Sequence, residues 1–301
     1  MREATAAPGG FEESEMRRIL ERGCAAAGLD CGDARLLRGH TNAVVLLERE
    51  QVVVKIARKG SRISDVARTV AFVGWLMDGG FPTVPLHPVP QPIVVDGCAL
   101  TVWEYLPQPE APVAAAQLAK PLHALHTRAG VPVALPEHDS LAAIRRSMAA
   151  ITCLPPETIA YLSSYADRLE AELDRVRFAL PAGVIQGDPQ HRNALHSGGA
   201  DAVLCDWDTV AVGQPEWDLV TIEVHCRRFG HGEQHYHAFA ESYGWDVTHW
   251  TGYRTLAALR ELQMIMTNAG KVREAPASLD EVRRRVEGLR HGDSGQRWHI
   301  L

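Results

Sequence analysis

The chain has 301 residues, of which 46% are hydrophobic and 23% charged, with a formal net charge of −6. This composition is typical of a globular protein that can bury a sizeable core in one large domain or two smaller ones. The acidic balance argues against a nucleic-acid-binding protein, and no apolar run is long enough to predict a membrane span. We therefore expect neither nucleic acid nor a membrane as a partner.

Cysteine and histidine usage indicates the compartment and argues against a zinc site. The six cysteines are scattered without a CxxC pair, and the first residues contain no apolar signal region, so we expect reduced, buried thiols in a cytoplasmic protein. Among the 14 histidines, His231, His235 and His237 come closest together. No cysteine or further ligand set accompanies them, so a surface or packing role is expected.

The first third of the chain predicts mainly strands. Its predicted elements are, in order, a helix over 11–27, strands over 43–47 and 52–57, and a helix over 61–78. Lys55 interrupts the second strand, where by itself it indicates only a solvent-facing position. Asp96-Gly97 lies between two apolar runs and predicts a two-residue β-hairpin turn.

A proline-rich segment separates this part from a mostly helical remainder. Residues 106–112 contain three prolines, which predicts a stiff connector. The helices predicted after it cover 113–126, with Pro121 expected to kink or interrupt it, then 141–150, 157–178, 218–229, 234–243, 253–268 and 278–289. We expect an N-terminal lobe over 1–106, a hinge over 107–112 and a C-terminal lobe over 113–301.

The fold class expected from this distribution is α+β, with a small antiparallel β lobe followed by a larger helical lobe. A cleft between two such lobes is a natural place for a small molecule.

The stretch 183–219 carries the polar residues with the most distinctive spacing. Two short apolar runs, 183–185 and 202–205, flank a polar loop and predict a hairpin-like pair of strands. Asp188 and Asn193 lie in this polar loop, and Asp206 directly follows the second run. Carboxylate and amide oxygens suit Mg²⁺ together with phosphate oxygens, which leaves Asp188 to face a substrate hydroxyl.

Lys55 becomes a candidate functional residue when it is considered together with Asp188, Asn193 and Asp206. A strand lysine in the first lobe and an Asp…Asn…Asp set in the second are the parts that phosphoryl transfer needs. The reaction requires neutralised phosphate charge, a bridging metal ion and an oriented hydroxyl.

The motifs resemble those of the aminoglycoside phosphotransferase (APH) family, whose members have a protein-kinase-like fold, from about residue 36 to the C-terminus. The matching segments are QGDPQHRN (186–193) for the H-G-D-x-x-x-x-N catalytic loop, LCDWD (204–208) for the metal-binding segment, GQPEWDL (213–219) for G-D-P-x-x-D-L, VVK (53–55) for the phosphate-lysine strand and WEYL (103–106) for the adenine hinge. The resemblance implies a two-lobed kinase-like fold that uses ATP and Mg²⁺.

The resemblance also implies a role for each matching residue. Asp188 would orient the acceptor hydroxyl and take its proton, Asn193 and Asp206 would hold Mg²⁺, and Lys55 would contact the α- and β-phosphates of ATP. Other implied positions are adenine contacts from the backbone of Glu104 and Leu106, a nucleotide loop containing His40, Thr41 and Asn42, and structural support from Asp218.

Two departures from the family pattern concern residues that support the site. Gln186 stands where the family has histidine, and its amide can also donate and accept. Thr69 occupies the place where a glutamate would pair with Lys55. Asp65 lies one helical turn earlier on the same face, so we hypothesise that either Asp65 or ATP alone holds Lys55.

The function expected from this resemblance is transfer of the ATP γ-phosphate to a hydroxyl of an antibiotic such as an aminoglycoside. The alternatives are a metabolite kinase acting on a compound such as choline or homoserine, and a nucleotide-binding pseudokinase. A cationic acceptor needs acidic partners, and Glu216 and Glu261 are candidates; for Glu261 the alternative partner is Arg260. Asp208 could assist the metal, contact the substrate or cap a turn.

Overall fold

A computed structural model describes residues 8–39, 41–199, 201–273 and 275–301. It divides into two compact units, and the chain passes between them several times. The first unit comprises the described residues up to Ala111 together with Gly130–Leu135 and Leu195–Asp208. The second comprises Pro112–Ala129, Pro136–Ala194 and Thr209–Leu301. The lobe limits expected from the sequence remain a prediction.

The first unit is built on an antiparallel five-stranded sheet with the strand order β1-β2-β3-β5-β4. Its strands are β1 (Ala34–Arg38), β2 (Ala43–Leu47), β3 (Val52–Ile56), β4 (Ile93–Val95) and β5 (Cys98–Glu104). The predicted strands β2 and β3 are present, and Asp96 and Gly97 form the β4–β5 turn with φ values of 50° and 77°. Strand β1 was not predicted, because all its residues are exposed and it lacks an alternating pattern.

Two helices complete this unit, α1 (Glu13–Ala27) and α2 (Ile63–Asp78). Both agree with the predicted ranges to within two residues at their N-terminal ends. Helix α1 buries Met16, Ile19 and Leu20 against the apolar face of the sheet, and Gly28 ends it in a left-handed conformation. This core holds the strand that carries Lys55.

The second unit is mostly helical, as predicted. Its helices are α3 (Ala115–His126), α4 (Ser140–Ala150), α5 (Pro156–Leu173), α6 (Pro215–Arg228), α7 (Glu233–Tyr243), α8 (Tyr253–Lys271) and α9 (Leu279–Arg290). Helix α8 packs against α4, α5, α6 and α9, so it is the central helix of the unit. Helix α3 continues through Pro121, and α5 ends at Leu173 before its predicted end.

The predicted pairing of the runs 183–185 and 202–205 is wrong. The short strands in this region are β6 (Gly183–Ile185), β7 (Ala194–His196), β8 (Ala202–Leu204) and β9 (Ala211–Gly213). β6 pairs with β9, whereas β8 pairs with β7. Three-residue runs carry too little pattern to specify a partner, and β7 lies nearer to β8 in sequence, so a shorter loop closes that pair.

Two further expectations concern sequence features outside the site. Within the described residues, no helix combines the length and the apolar character needed to cross a membrane. The six cysteines are all free thiols, but only Cys24 and Cys226 are buried as expected, whereas the other four are partly exposed.

Candidate active site

The buried carboxylate of Asp218 holds the loop that contains Asp188. Asp218 lies in the first turn of α6 and has an exposed fraction of 0%. Its oxygens accept hydrogen bonds from the backbone N–H groups of Gln186 and Gly187, at 2.7 and 2.9 Å, and its Oδ2 atom lies 3.0 Å from Nε2 of His126. A buried carboxylate needs such donors to offset its lost hydration, so these contacts are obligatory for the loop.

Further contacts fix the loop around Gly187, whose φ of 88° is in the left-handed region. Trp217 Nε1 donates to the Gly187 carbonyl at 2.9 Å, and the Thr209 hydroxyl donates to the Gln186 carbonyl at 2.9 Å. The Gln186 side chain is fully buried, and its Oε1 accepts the Asp188 N–H at 2.7 Å. Gln186 therefore supports the loop directly, as an amide that takes the place of the histidine in the family motif.

Asp188 presents its carboxylate from this loop beside Asn193. The Asn193 Nδ2 atom donates to the Asp188 backbone carbonyl at 2.9 Å and to its Oδ2 atom at 3.2 Å. Gln190 Nε2 donates to the same Oδ2 atom at 2.9 Å. The Asp188 side chain keeps an exposed fraction of 24%. A fixed and partly accessible carboxylate is suited to act as a general base.

Arg260 on α8 is a site residue that the sequence interpretation missed. Its Nη2 atom donates to Asp188 Oδ1 in a short ion pair, and its side chain has an exposed fraction of only 8%. The guanidinium also lies over the Trp217 ring, 5.9 Å from the centroid. The sequence suggested Arg260 as a partner for Glu261, but adjacent helical residues point about 100° apart. The signal for Arg260 was a charged residue within an otherwise apolar stretch of a helix.

Lys55 is held by two carboxylates within the first unit. Its Nζ atom lies 2.7 Å from Asp206 Oδ1 and 2.8 Å from Asp208 Oδ2. Burial alone would lower the pKa of Lys55, but the two carboxylates outweigh burial and raise that pKa above its ordinary value. Lys55 is therefore a permanent positive charge at neutral pH.

The backbone of Asp206 is held in an uncommon conformation. Its φ of 56° lies in the left-handed region, which non-glycine residues seldom adopt. The next residue, Trp207, anchors the turn: its ring is fully buried, its Nε1 donates to the Thr83 hydroxyl at 2.9 Å, and it contacts Phe72 and Phe81 edge-on. Tertiary packing thus offsets the local backbone cost at Asp206.

Asp65 does not hold Lys55, so the hypothesis that it does is wrong. The Asp65 carboxylate forms ion pairs with Arg62 and Arg68, at 2.9 and 2.8 Å, on its own helix. Thr69 at the expected glutamate position donates its hydroxyl to the Asp65 backbone carbonyl at 3.2 Å. The partners of Lys55 come instead from the segment around Trp207.

Glu216 was a candidate for substrate binding, and the structure contradicts this prediction. The residue is fully buried, and its Oε1 atom accepts the backbone N–H groups of Ala179 and Leu180 at 2.7 and 2.8 Å. These bonds satisfy two backbone N–H groups in the segment that leads from α5 to β6. A carboxylate used in this way is structural and cannot face an acceptor.

Glu261 is likewise a structural residue rather than a substrate ligand. Both its oxygens bind Arg228, at 2.7 and 2.8 Å, and Oε1 also accepts from Arg227 at 2.9 Å. Its predicted partner Arg260 turns to Asp188 instead. Two arginines of α6 therefore neutralise the charge that seemed available for a cationic acceptor.

The predicted nucleotide-binding positions lie in the first unit, except that His40 lies outside the described residues. Thr41 is exposed, whereas Asn42 donates to Asp208 Oδ2 at 2.9 Å and accepts the Arg58 N–H at 3.0 Å. Asn42 thus ties the β1–β2 loop to one of the carboxylates that hold Lys55.

At the predicted adenine hinge, the backbone offers fewer free groups than expected. The Glu104 N–H already donates to the Pro85 carbonyl at 2.9 Å, and the Glu104 side chain bonds His87 Nδ1 at 2.8 Å. The Glu104 backbone N–H is therefore already used within the protein. Leu106 follows the end of β5, where its role in adenine binding stays a prediction.

Each unit by itself carries oxygen donors of the kind that suit a hard divalent cation. The Asn193 amide nitrogen faces Asp188, so its amide oxygen points away from that residue. In the first unit, Asp206 and Asp208 already converge on the single cationic group of Lys55. Carboxylate and amide oxygens of this kind are the ligands that Mg²⁺ prefers.

The first unit is an antiparallel sheet with a strand lysine, and the second is helical with a fixed aspartate and asparagine. These are the features of a kinase-like small-molecule phosphotransferase. The sequence profile of the phosphotransferase enzyme family (APH) matches residues 33–262. The chain belongs to this family. No curated protein sequence matches it.

Solved structures share the protein-kinase-like fold at low sequence identity. A microcompartment-associated aminopropanol kinase is 14% identical with a TM-score of 0.71, over 93% of this chain and 99% of that one. An amicoumacin kinase in complex with AMP-PNP and Ca²⁺ is 14% identical with a TM-score of 0.68, over 93% and 94%. The choline kinase LicA from Streptococcus pneumoniae is 16% identical with a TM-score of 0.66, over 91% and 98%.

Gly187 allows a first prediction, with Gly198 as its matched control. Both residues have left-handed φ values, 88° and 84°, so alanine meets a similar backbone cost of about 1–2 kcal/mol at either position. Only at Gly187 would the new Cβ also lie 2.4 Å from the Thr209 carbonyl oxygen. We expect Gly187→Ala to reduce the free energy of unfolding by at least about 1 kcal/mol more than Gly198→Ala, measured in urea. If the two variants lose the same free energy of unfolding, the close approach of residue 187 to the Thr209 carbonyl would be contradicted.

Arg260 allows a second prediction. We expect Arg260→Gln to lower the turnover of Mg-ATP by about 10–100-fold, because Asp188 loses a charge-assisted hydrogen bond of about 1.5–3 kcal/mol. Arg260→Lys should restore part of the turnover. The matched control is Arg228→Gln, which removes another buried arginine that does not touch Asp188. If both variants lose stability and turnover alike, Arg260 acts only through packing.

The anchoring of Lys55 allows a third prediction. We expect Lys55→Ala to weaken ATP binding by about tenfold or more, because a charge-assisted contact is lost. Asp65→Ala should leave ATP affinity within about twofold, because it removes partly exposed ion pairs that do not involve Lys55. Isothermal titration with ATP in the presence of Mg²⁺ measures both affinities. If Asp65→Ala loses as much ATP affinity as Lys55→Ala, the hypothesis that Asp65 holds Lys55 would be restored.

Proposed function

We propose that the protein is an Mg-ATP-dependent phosphotransferase that transfers the γ-phosphate to a hydroxyl group of a small molecule. The observation that carries this proposal is the geometry of Asp188: a partly exposed carboxylate on a loop fixed by buried hydrogen bonds, with Asn193 beside it. Family membership and the kinase-like structural neighbours support the reaction class.

In the proposed reaction, Asp188 accepts a hydrogen bond from the acceptor hydroxyl and takes its proton as the oxygen attacks the γ-phosphorus. Arg260, Gln190 and Asn193 hold the carboxylate so that one orientation is populated. Lys55 contributes a permanent positive charge for the phosphates. Asn193 and Asp206 would hold Mg²⁺, which neutralises phosphate charge when it is bound.

The acceptor we propose is a hydroxyl of an antibiotic, such as an aminoglycoside or a related compound. The structural neighbours include an amicoumacin kinase and an aminoglycoside phosphotransferase in complex with GDP and kanamycin, which supports this class. Choline and aminopropanol kinases are also among them, so a metabolite with a hydroxyl group is the second candidate. Because Glu216 and Glu261 are structural, the pocket for a cationic acceptor must use other acidic groups.

A nucleotide-binding protein without turnover is the remaining alternative. The contacts of Asp188, Asn193 and Lys55 argue against it, because a pseudokinase has no need to orient a base. We also propose a cytoplasmic location, which the free thiols support.

The base assignment allows a fourth prediction. We expect Asp188→Ala to lower phosphoryl transfer by about 10²–10⁴-fold while ATP binding is retained, because the residue faces the acceptor. Turnover is measured by ADP release and ATP affinity by titration. Asp208→Ala is not a suitable control because it touches Lys55, whereas Asp280→Ala changes an aspartate of α9 that lies outside the motifs and whose side chain is 94% exposed. Near-normal turnover in Asp188→Ala would refute the proposed base.

The acceptor class is tested with wild-type protein and Mg-ATP. The panel contains aminoglycosides, amicoumacin, other hydroxyl-bearing antibiotics, choline, aminopropanol and homoserine, with Asp188→Ala as the blank for each compound. Mass spectrometry identifies any product that has gained one phosphate. Phosphorylation of an antibiotic alone supports the first candidate, and phosphorylation of a metabolite alone supports the second. ATP binding without transfer to any compound would support the pseudokinase.

A further inference from the structure

Three histidines from separate parts of the second unit meet beside the catalytic loop. His191 lies in the turn that follows Asp188, His231 lies between α6 and α7, and His235 lies in the first turn of α7. One ring nitrogen of each lies within 4.8 Å of a ring nitrogen of each of the others. The sequence suggested His237 as the third member of this group, but His237 is exposed and His191 takes its place.

The rings are close and nearly parallel. Their planes differ by 16–21°, and their centroids lie 4.3–5.2 Å apart. Nε2 of His191 lies 2.9 Å from Nε2 of His235, and the latter also accepts the Ala115 N–H at 3.0 Å. His231 is exposed, so one side of the group is open to solvent.

No protonation state of His191 satisfies both of its nitrogens with the described protein groups. Because the Ala115 N–H donates to His235 Nε2, that nitrogen carries a lone pair. If His191 Nε2 carries the proton and donates to it, the buried Nδ1 atom of His191 is left as an acceptor without a partner. If Nδ1 carries the proton, it is a donor without a partner and two lone pairs face each other at Nε2. The described protein groups therefore leave one nitrogen of His191 for a partner from outside the chain.

The dimensions of the cluster suit an ion that binds imidazole. Two nitrogens that each lie about 2.0–2.1 Å from one ion are about 2.8–3.4 Å apart at coordination angles of about 90–110°. The separation of 2.9 Å between His191 and His235 falls in this range. Burial lowers the pKa of His231 and His235, so both rings are neutral and can donate lone pairs at neutral pH.

We propose that His191, His231 and His235 bind one transition-metal ion of the Zn²⁺ class, with a position left for water. Imidazole nitrogens favour Zn²⁺, Co²⁺, Ni²⁺ and Cu²⁺, whereas Mg²⁺ favours oxygen. The site is therefore chemically separate from the oxygen donors assigned to Mg²⁺. Because His191 lies between Asp188 and Asn193 in sequence, the ion links the catalytic loop to α7.

Binding of the metal ion requires a small rearrangement of the three imidazole rings. Their lone pairs lie in the ring planes, so nearly parallel rings must turn about their Cβ–Cγ bonds for the lone pairs to converge on one ion. His231 is free to turn because it is exposed. At His235 the ion replaces the contact from the Ala115 N–H, so the first turn of α3 should respond to the ion as well.

The test uses untagged, chelator-treated full-length protein in excess Mg²⁺, which occupies the oxygen sites. Titration with Co²⁺ is followed by its visible absorption, and titration with Zn²⁺ is followed by calorimetry. We expect one ion per chain, with the increased visible absorption of a low-coordinate, nitrogen-bound Co²⁺. His231→Gln should weaken the affinity by about 100-fold or more, since removing a ligand costs at least as much as removing a group that only supports one.

His237→Gln is the matched control, because it changes an exposed histidine of the same helix. It should bind Co²⁺ and Zn²⁺ as the wild type does. His235→Gln provides a second ligand variant, and unfolding of each variant without metal shows whether it folds. In the wild type Zn²⁺ should raise the Tm, and in His231→Gln this increase should be lost.

Three outcomes would overturn the proposal. The wild type binds no ion in excess Mg²⁺, or His231→Gln and His235→Gln bind as tightly as His237→Gln, or Co²⁺ gives the intense near-ultraviolet absorption of a thiolate ligand. In the first case the cluster is a metal-free stack of histidines. In the other two the ion lies elsewhere, and the third result assigns it to a cysteine.

Discussion

The buried carboxylate of Asp218 is the constraint on which the loop that carries Asp188 depends. With no exposure to solvent, it must be satisfied by the N–H groups of Gln186 and Gly187 and by His126. A buried charge that loses its partner destabilises a protein by about 3–5 kcal/mol, so the backbone amides cannot leave it. Because these donors belong to the backbone, they fix the path of the loop whatever the neighbouring side chains are. Asp188 therefore projects in a direction set by a residue of α6.

Exposure separates the acidic residues that build the protein from those that can meet a ligand. Glu216 and Glu261 are buried; backbone amides bind Oε1 of Glu216, and arginines bind both oxygens of Glu261. Asp206 and Asp208 keep about half of their side chains exposed, although both bind Lys55. Exposed ion pairs are worth little, so their oxygens can change partners, as the proposed binding of a nucleotide and a metal ion requires. A buried carboxylate has no such freedom.

Helices with periodic patterns and residues in contiguous motifs could be predicted from the sequence, whereas the long-range partners of strands and side chains could not. The helices α1, α2 and α8 were predictable because a buried face repeats with the helical period, and Lys55, Asp188 and Asp206 because they belong to spaced motifs. The partners of β6 and β8 were mispredicted because three-residue strands carry no register information. Asp65 was chosen for Lys55 by its helical position, but its own neighbours Arg62 and Arg68 lie closer and neutralise it.

Helix α8 connects the chemistry of Asp188 to the core of the second unit. Arg260 and Glu261 are consecutive on this helix and point to different partners, Asp188 on one side and two arginines of α6 on the other. Their neighbours Leu259 and Leu262 are fully buried in the helical core. Any change that shifts α8 therefore moves the guanidinium that holds the Asp188 carboxylate. Activity and stability are coupled through this helix, so a substitution that repacks its core should change both together.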